Sequence, residues 1–264
     1  MSRIHPTAVI DGDARLADDV EVGPYAVIRG KVALGEGTVV GPACLLTGPA
    51  KIGRRNVFYG HASIGGDSQD KKGQDGVLEM GDGNLVREFA TISRASARGE
   101  RTLVGSDNWI MAYSHIAHDC RIGDKTVIAN LTQLGGHVTV EDGAILGGGT
   151  LIHQFCRIGR GAIVGGDSGL RNDLPPFAKY AEKQNLVSVL LNKTGIERAG
   201  LADELPQLTK AYVELYRKGQ TLPDAIKAIR LLAKDSPSVT ALLEFLEAPS
   251  RFGIVYPRRY GGAA

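Results

Sequence analysis

The sequence predicts an all-β solenoid, a parallel β-helix of six-residue repeats, followed by an α-helical C-terminal domain. Three observations carry this. First, an aliphatic or aromatic-apolar residue recurs at every sixth position, from Ile4, Ile10 and Leu16 through to Ile64, and again from Ile110, Ile116 and Ile122 through to Leu170. Neither a helix (period 3.6) nor a simple strand (period 2) produces that spacing, whereas a β-helix does. Second, two positions before each of these residues stands a smaller one, as at Ala8, Ala14, Ala26, Cys44, Cys120, Ala144 and Cys156. Residues two apart on a strand share a side, so the pair points inward together and the intervening residue points out. Third, the repeat stops at Leu170, and from about residue 196 onward the spacing is helical.

Taken in order, the first run lays down short strands joined by Gly- and Asp-rich corners up to Ile64. The phase then slips by the time Met80 is reached. The polar, Gly-rich stretch GGDSQDKKGQDGV must leave the helix, giving a loop at about 65–79. A second polar stretch, RASARGERT, gives another at 94–102. Long excursions from a compact repeat carry function or are tolerated insertions. The second run closes the β-helix, whose predicted extent is 1–174. NDLPP marks the boundary, and 175–264 is expected to be a helical domain. Leu205, Leu208, Ala211, Tyr212 and Leu215 open its amphipathic pattern, and Pro206, Pro223 and Pro237 stand where helices start. The last stretch, VYPRRYGGAA, reads as a frayed tail.

Composition narrows the function. A formal net charge of +2 gives no nucleic-acid signature. No run is long and apolar enough to span a membrane, and MSRIHPTAVI enters the repeat without a signal peptide, so a cytoplasmic protein is expected. The 3 cysteines, Cys44, Cys120 and Cys156, all occupy the small inward position and read as buried thiols rather than disulfides, ligands or nucleophiles.

The chemistry-bearing signal is a cluster of histidines. His115, His118, His137 and His153 are four of the 6 in the chain. Three readings compete for His118. It could be a general base oriented by Asp119, since imidazole titrates near neutrality. It could be a structural corner residue, or a metal ligand as in the carbonic anhydrases built on this repeat. The HIAH spacing does not reproduce the pattern of those enzymes, and no metal is expected. No Ser-His-Asp or Cys-His nucleophile and no dinucleotide fingerprint is legible. GGDSG and LGGGT are corner glycines rather than a phosphate loop.

The strings SHIAHDC (114–120), IANLTQLGGHV (128–138), LIHQFCRIG (151–159), VGGDSGL (164–170), SIGGDSQDKK (63–72) and NKTGIERAGL (192–201) resemble the acyl-ACP–UDP-N-acetylglucosamine O-acyltransferases that open lipid A synthesis. The resemblance spans nearly the whole chain. It implies a left-handed, three-sided β-helix with an 18-residue coil, so that His118, Gly136 and Gln154 stack on one ridge. It implies a homotrimer with sites between subunits, acyl carrier protein as donor, a UDP-amino-sugar as acceptor, and no cofactor. By the same resemblance His118 is the base, Asp119 its neighbour, and the Gly136 N–H the group that polarises the thioester. Gln69, Asp70 and Lys72 meet sugar and acyl chain across a subunit boundary. His115, His137, His153 and Gln154 line the groove, Gly166 gates acyl length, and Asn192 and Arg198 meet the nucleotide.

Two positions depart from the family pattern. Ser93 stands where His is usual and Thr194 where an acid is usual, both on the nucleotide-sugar side. UDP-N-acetylglucosamine with O-acylation therefore stands against a 3-amino analogue with N-acylation or another nucleotide sugar. A CoA-dependent sugar N-acyltransferase on the same repeat and a non-enzymatic β-helical scaffold compete with these. The histidine ridge and the polar loop argue against a scaffold, which needs neither.

Overall fold

The computed structural model describes residues 3–71, 73–183 and 186–259. Its larger part is a parallel β-solenoid in which each coil contributes one short strand to each of three sheets, so each sheet collects every third strand. Paired residues in successive coils are 18 apart along most of the stack, as in Arg3 with Glu21, His115 with Gln133 and Thr139 with Arg157.

The two polar excursions are visible as breaks in that register. Ser63 pairs backward with Leu45 at a separation of 18 but forward with Thr91 at 28, so ten residues leave the coil. Leu78 pairs forward with Thr102 at 24, so six leave there. Both excursions are shorter than the spacing suggested. Val77–Met80 and Arg101–Val104 are already strands, because their alternating burial returns them to the core.

The inward aliphatics stack as expected. Ile28, Leu46, Ile64, Ile92, Ile116 and Leu134 follow one another up the second sheet with no more than 1% of their surface exposed. Each contributes about 1.5–3 kcal/mol relative to an exposed side chain. The first coil differs: Ile4 is 46% exposed, since among the described residues no coil covers its outer side. All three cysteines are free and buried, and burial pushes the Cys120 and Cys156 thiols up to about 12.

A feature the six-residue reading did not anticipate lies at the small inward position, which is Asn at 56, 84 and 108. All three are buried. Asn84 Nδ2 donates to Asn56 Oδ1 at 2.9 Å and to the Gly105 carbonyl at 2.9 Å. The Asn108 N–H donates to Asn84 Oδ1 at 3.0 Å, and Thr126 Oγ1 to Asn108 Oδ1 at 2.7 Å. This polar ladder runs through the coils interrupted by the two excursions.

After Leu170 the chain does not turn helical at once. Ala178–Lys183 joins the first sheet in parallel beside Ile163–Val164, and Leu186–Leu191 returns antiparallel to it. Four helices follow: α1 (Lys193–Arg198), α2 (Leu205–Tyr216), α3 (Leu222–Leu232) and α4 (Pro237–Glu247). Pro206 and Pro223 stand in the first turns of α2 and α3, and Thr221 and Ser236 cap α3 and α4 by accepting from the Asp224 and Val239 N–H groups.

The segment expected to fray is instead tied down where it is described. Ile254 and Val255 are buried, the Val255 N–H donates to the Asp173 carbonyl at 2.9 Å, and Arg258–Arg259 pairs with Leu186–Val187. Among the described residues no helix is long and apolar enough to cross a membrane.

Candidate active site

The site grows from one corner of the solenoid. Strand His115–Ile116 belongs to the second sheet, and the chain leaves it through Ala117, His118 and Asp119 before entering Arg121–Ile122 of the third sheet. Asp119, His137 and Phe155 occupy equivalent corners of successive coils, each with φ near +60°. That left-handed backbone recurs at other corners (Tyr25, Arg55, Lys125), so it belongs to the solenoid and not to the site alone.

Stacking does the assembling. The His137 N–H donates to the His118 carbonyl and the Phe155 N–H to the Gly136 carbonyl, each at 3.0 Å. The His137 ring then lies flat on Phe155, centroids 4.6 Å apart, and edge-on to His118 at 5.4 Å. From the C-terminal segment, the Arg251 guanidinium lies over Phe155 at 4.0 Å.

His118 Nδ1 donates to Asp119 Oδ2 at 2.7 Å, since a carboxylate can only accept; this leaves Nε2 as the free basic nitrogen. The Asp119 side chain is only 7% exposed. Burial pushes its carboxyl up, but hydrogen bonds from His118 and Ser96, with the nearby His137, outweigh that and hold it below the usual carboxylate range. His115 shares a 2.7 Å hydrogen bond with Thr91 Oγ1. Burial, and then the charge of His118, push its imidazole pKa down and favour the neutral form.

A cavity of about 990 Å³ opens over this corner. Gln69, Asp70, Ser93, His115, His118 and His137 line it, with His153 and Gln154 one coil further on. The sequence groups these residues by resemblance, and one chain brings them together. Gln69 and Asp70 thus line the same cavity as His118 of their own chain. Asp119 stands behind His118, and Gly136 lies beneath its ring.

Other expected residues are elsewhere. Gly166 lies on the corner between the first and second sheets, outside the lining of this cavity. Asn192, Thr194 and Arg198 line a second cavity, of about 1200 Å³, against the first sheet and α2. Asn192 is also the cap of α1, accepting from the Gly195 N–H at 3.1 Å and donating to the Gly161 carbonyl at 3.0 Å. Lys72 lies outside the described residues. Ser96, Thr102, Arg171 and Arg251 are the additions that sequence reasoning missed. Ser96 and Thr102 fall in a stretch that reads as an inserted loop, although Thr102 lies on the strand Arg101–Val104, and Arg251 lies far along the chain with no spacing to mark it.

The same groups also raise the question of a metal. His118, Asp119 and His137 each offer a ligand atom, and these atoms lie within 4.8 Å of one another. His118 Nδ1 and Asp119 Oδ2 are 2.7 Å apart and hydrogen-bonded to each other, so as they stand these two groups share a proton.

Fold and site together define a transferase of the hexapeptide-repeat class, and residues 101–136 match the bacterial transferase hexapeptide model. Residues 173–255 match domain 2 of UDP-N-acetylglucosamine O-acyltransferase. The acyl-[acyl-carrier-protein]–UDP-N-acetylglucosamine O-acyltransferase of Thiobacillus denitrificans is 50% identical over 260 residues, 97% of this chain and 100% of that protein. The one from Stenotrophomonas maltophilia K279a is 49% identical over 253 residues, 94% of this chain and 96% of that protein. Among solved structures, the Francisella novicida UDP-N-acetylglucosamine acyltransferase superposes with a TM-score of 0.92 at 33% identity, over 96% of this chain and 94% of that one. The Moraxella catarrhalis UDP-N-acetylglucosamine O-acyltransferase gives 0.90 at 35%, over 96% and 99%. The chain belongs to the acyl-ACP–UDP-N-acetylglucosamine O-acyltransferase family.

Proposed function

We propose that the protein transfers an acyl group from acyl carrier protein to the 3-hydroxyl of UDP-N-acetylglucosamine, the first step of lipid A biosynthesis, with His118 as general base. The observation that carries this reading is the His118–Asp119 pair, its Nε2 free, set in the wall of an open cavity. His118 Nε2 takes the proton of the sugar hydroxyl as its oxygen attacks the thioester carbonyl carbon. The carbonyl electron pair moves to oxygen, giving a tetrahedral oxyanion. Collapse re-forms the carbonyl and expels the carrier's thiolate, which takes the proton back from the His118 imidazolium. Asp119 stays ionised throughout and stabilises that imidazolium, as a buried carboxylate does in other base-orienting pairs.

The Gly136 N–H is the proposed oxyanion donor. In its support, this buried amide has no acceptor among the described residues. Asn192, Thr194 and Arg198 are the proposed nucleotide residues and Gly166 the proposed chain-length gate. The His118 cavity and the Asn192–Arg198 cavity share no lining residue, and the proposed assembly is a homotrimer in which a second copy brings the two together.

The test is mass spectrometry of purified protein with acyl-ACP and acyl-CoA, each against UDP-N-acetylglucosamine and its 3-amino analogue. The expected product is an alkali-labile ester formed from acyl-ACP. A tenfold or greater kcat/KM preference for the amine, about 1.4 kcal/mol in transition-state binding, assigns N-acylation instead. Use of acyl-CoA alone overturns the carrier protein as donor, and no transfer at all leaves the scaffold reading.

A further inference from the structure

Asp119 is held from two directions. His118 occupies one side of Oδ2, and Ser96 Oγ donates to the same oxygen at 2.7 Å. The Ser96 N–H lies 3.3 Å from both carboxylate oxygens. The Asp119 N–H in turn donates to Thr102 Oγ1 at 2.8 Å. Both partners come from the coil before, Ser96 from within the six-residue excursion and Thr102 from the strand Arg101–Val104 that follows it. That loop is therefore not a bystander to the pair it covers.

The loop is itself anchored. Arg94, its side chain only 13% exposed, donates through Nη1 to the Gly48 carbonyl at 2.6 Å and through Nε to the Gln74 carbonyl at 2.9 Å, and pairs with Asp67 at 2.6 Å. The Gly76 N–H donates to the Ala95 carbonyl at 3.1 Å and the Asp75 N–H to the Ser96 carbonyl at 3.3 Å. A Cβ on Gly73 would fall 2.3 Å from the Ser96 carbonyl oxygen. The excursion carrying Gln69 and Asp70 and the excursion carrying Ser96 are thus bound into one unit that meets Asp119.

We propose that Ser96 is a positioning residue for the reaction, fixing the Asp119 carboxylate so that His118 presents Nε2 to the substrate. The inference rests on the general-base reading of His118. Without the hydroxyl the carboxylate can rotate, and Oδ2 carries more of its charge. A more concentrated negative charge favours the imidazolium, so removing the donor raises the pKa of His118. The other titratable groups facing the pair are His115, His137 and Cys120. Ser96 substitutions leave all three in place, so they do not account for a change seen on substituting Ser96.

The experiment follows the His118 imidazole by NMR titration in the full-length protein, beside steady-state kinetics, for wild type, Ser96→Ala and Ser96→Thr. In Ser96→Ala the titration and the ascending limb of the pH–rate profile move to higher pH. Its kcat falls about tenfold, the order of one hydrogen bond to a charged group, with KM for both substrates within about twofold. Ser96→Thr restores both. In an Asp119→Ala background, Ser96→Ala has no further effect, as required if it acts through Asp119. Should Ser96→Ala not fold, Ser96→Cys keeps the volume with a weaker donor and shows the same shift at smaller size. An unmoved His118 titration, a change in KM alone, or an equal loss in the Asp119→Ala background overturns the proposal. The NMR arm needs no turnover, so a wild type that fails to acylate UDP-N-acetylglucosamine refutes the proposed function without deciding this one.

Discussion

The imidazole of His118 rests against the backbone of Gly136, one coil further on: a Cβ at position 136 would lie 2.6 Å from His118 Cε1 and 2.7 Å from Nε2. Only glycine admits the ring there. Gly136→Ala must therefore displace the side chain that faces the cavity, while the coil beneath is unchanged. A misplacement of about 1 Å at a reacting group costs on the order of 10²-fold in rate. The expected result is a kcat loss of that order with the melting temperature nearly unchanged; wild-type turnover in the variant would show that the ring does not need this seat.

Removing the proposed base should cost more. His118→Ala is expected to fold normally and lose about 10²–10⁴ in kcat, the usual range for general-base catalysis. Near-normal turnover in a metal-free preparation would show that another group takes the proton.

The ionisable groups of the site also bear on stability. Asp119 titrates below its ordinary value in the folded protein. Its stabilising contribution is complete above an unfolded value of about 3.9 and is lost as the pH falls through the lower folded value. His115 also titrates below its ordinary value. Between its folded value and about 6.5, only the unfolded chain takes up the proton, so stability falls as the pH drops through that window. Melting curves of His115→Gln and wild type should converge towards low pH from about pH 7, whereas those of Asp119→Asn should converge only below about pH 4.

The asparagine ladder predicts a stability effect without a catalytic one. Asn84→Ala removes the group joining Asn56, Gly105 and Asn108, and leaves buried polar atoms unpaired. The cost is about 1–3 kcal/mol for each unsatisfied group. Urea unfolding should show a lower midpoint, with KM values for the residual folded enzyme unchanged.

The proposed shared sites make a genetic prediction. His118→Ala and Arg198→Ala, each impaired alone, should regain activity when co-expressed, because in the proposed assembly mixed trimers contain some sites with both wild-type halves. Each protein should also scatter light as a trimer. An active monomer, or no recovery in verified mixed oligomers, would show that one chain holds a complete site.

How much of this was legible depends on the range over which each signal acts. The inward column from Ile28 to Leu134 could be read directly, because a six-residue period is a local pattern repeated many times. The helices of the C-terminal part were legible from apolar spacing and from Pro206, Pro223 and Pro237. The strands Ala178–Lys183 and Leu186–Leu191 were not: they pair with the first sheet and with each other, and nothing in their own spacing names that partner. The Val255 end looked frayed for the same reason, since its hydrogen bond goes to Asp173.

The site divides along the same line. The sequence by itself determined the repeat, the cysteine burial and the histidine ridge, since side chains at a constant interval must stack once the coil closes. Only the tertiary structure decided that Ser96 and Thr102 hold Asp119, that Arg251 covers Phe155, and that Asn192, Thr194 and Arg198 line a cavity apart from His118. Those relationships join residues across the irregular loops and the C-terminal return. Their separations there follow no period, so only packing in three dimensions can set them.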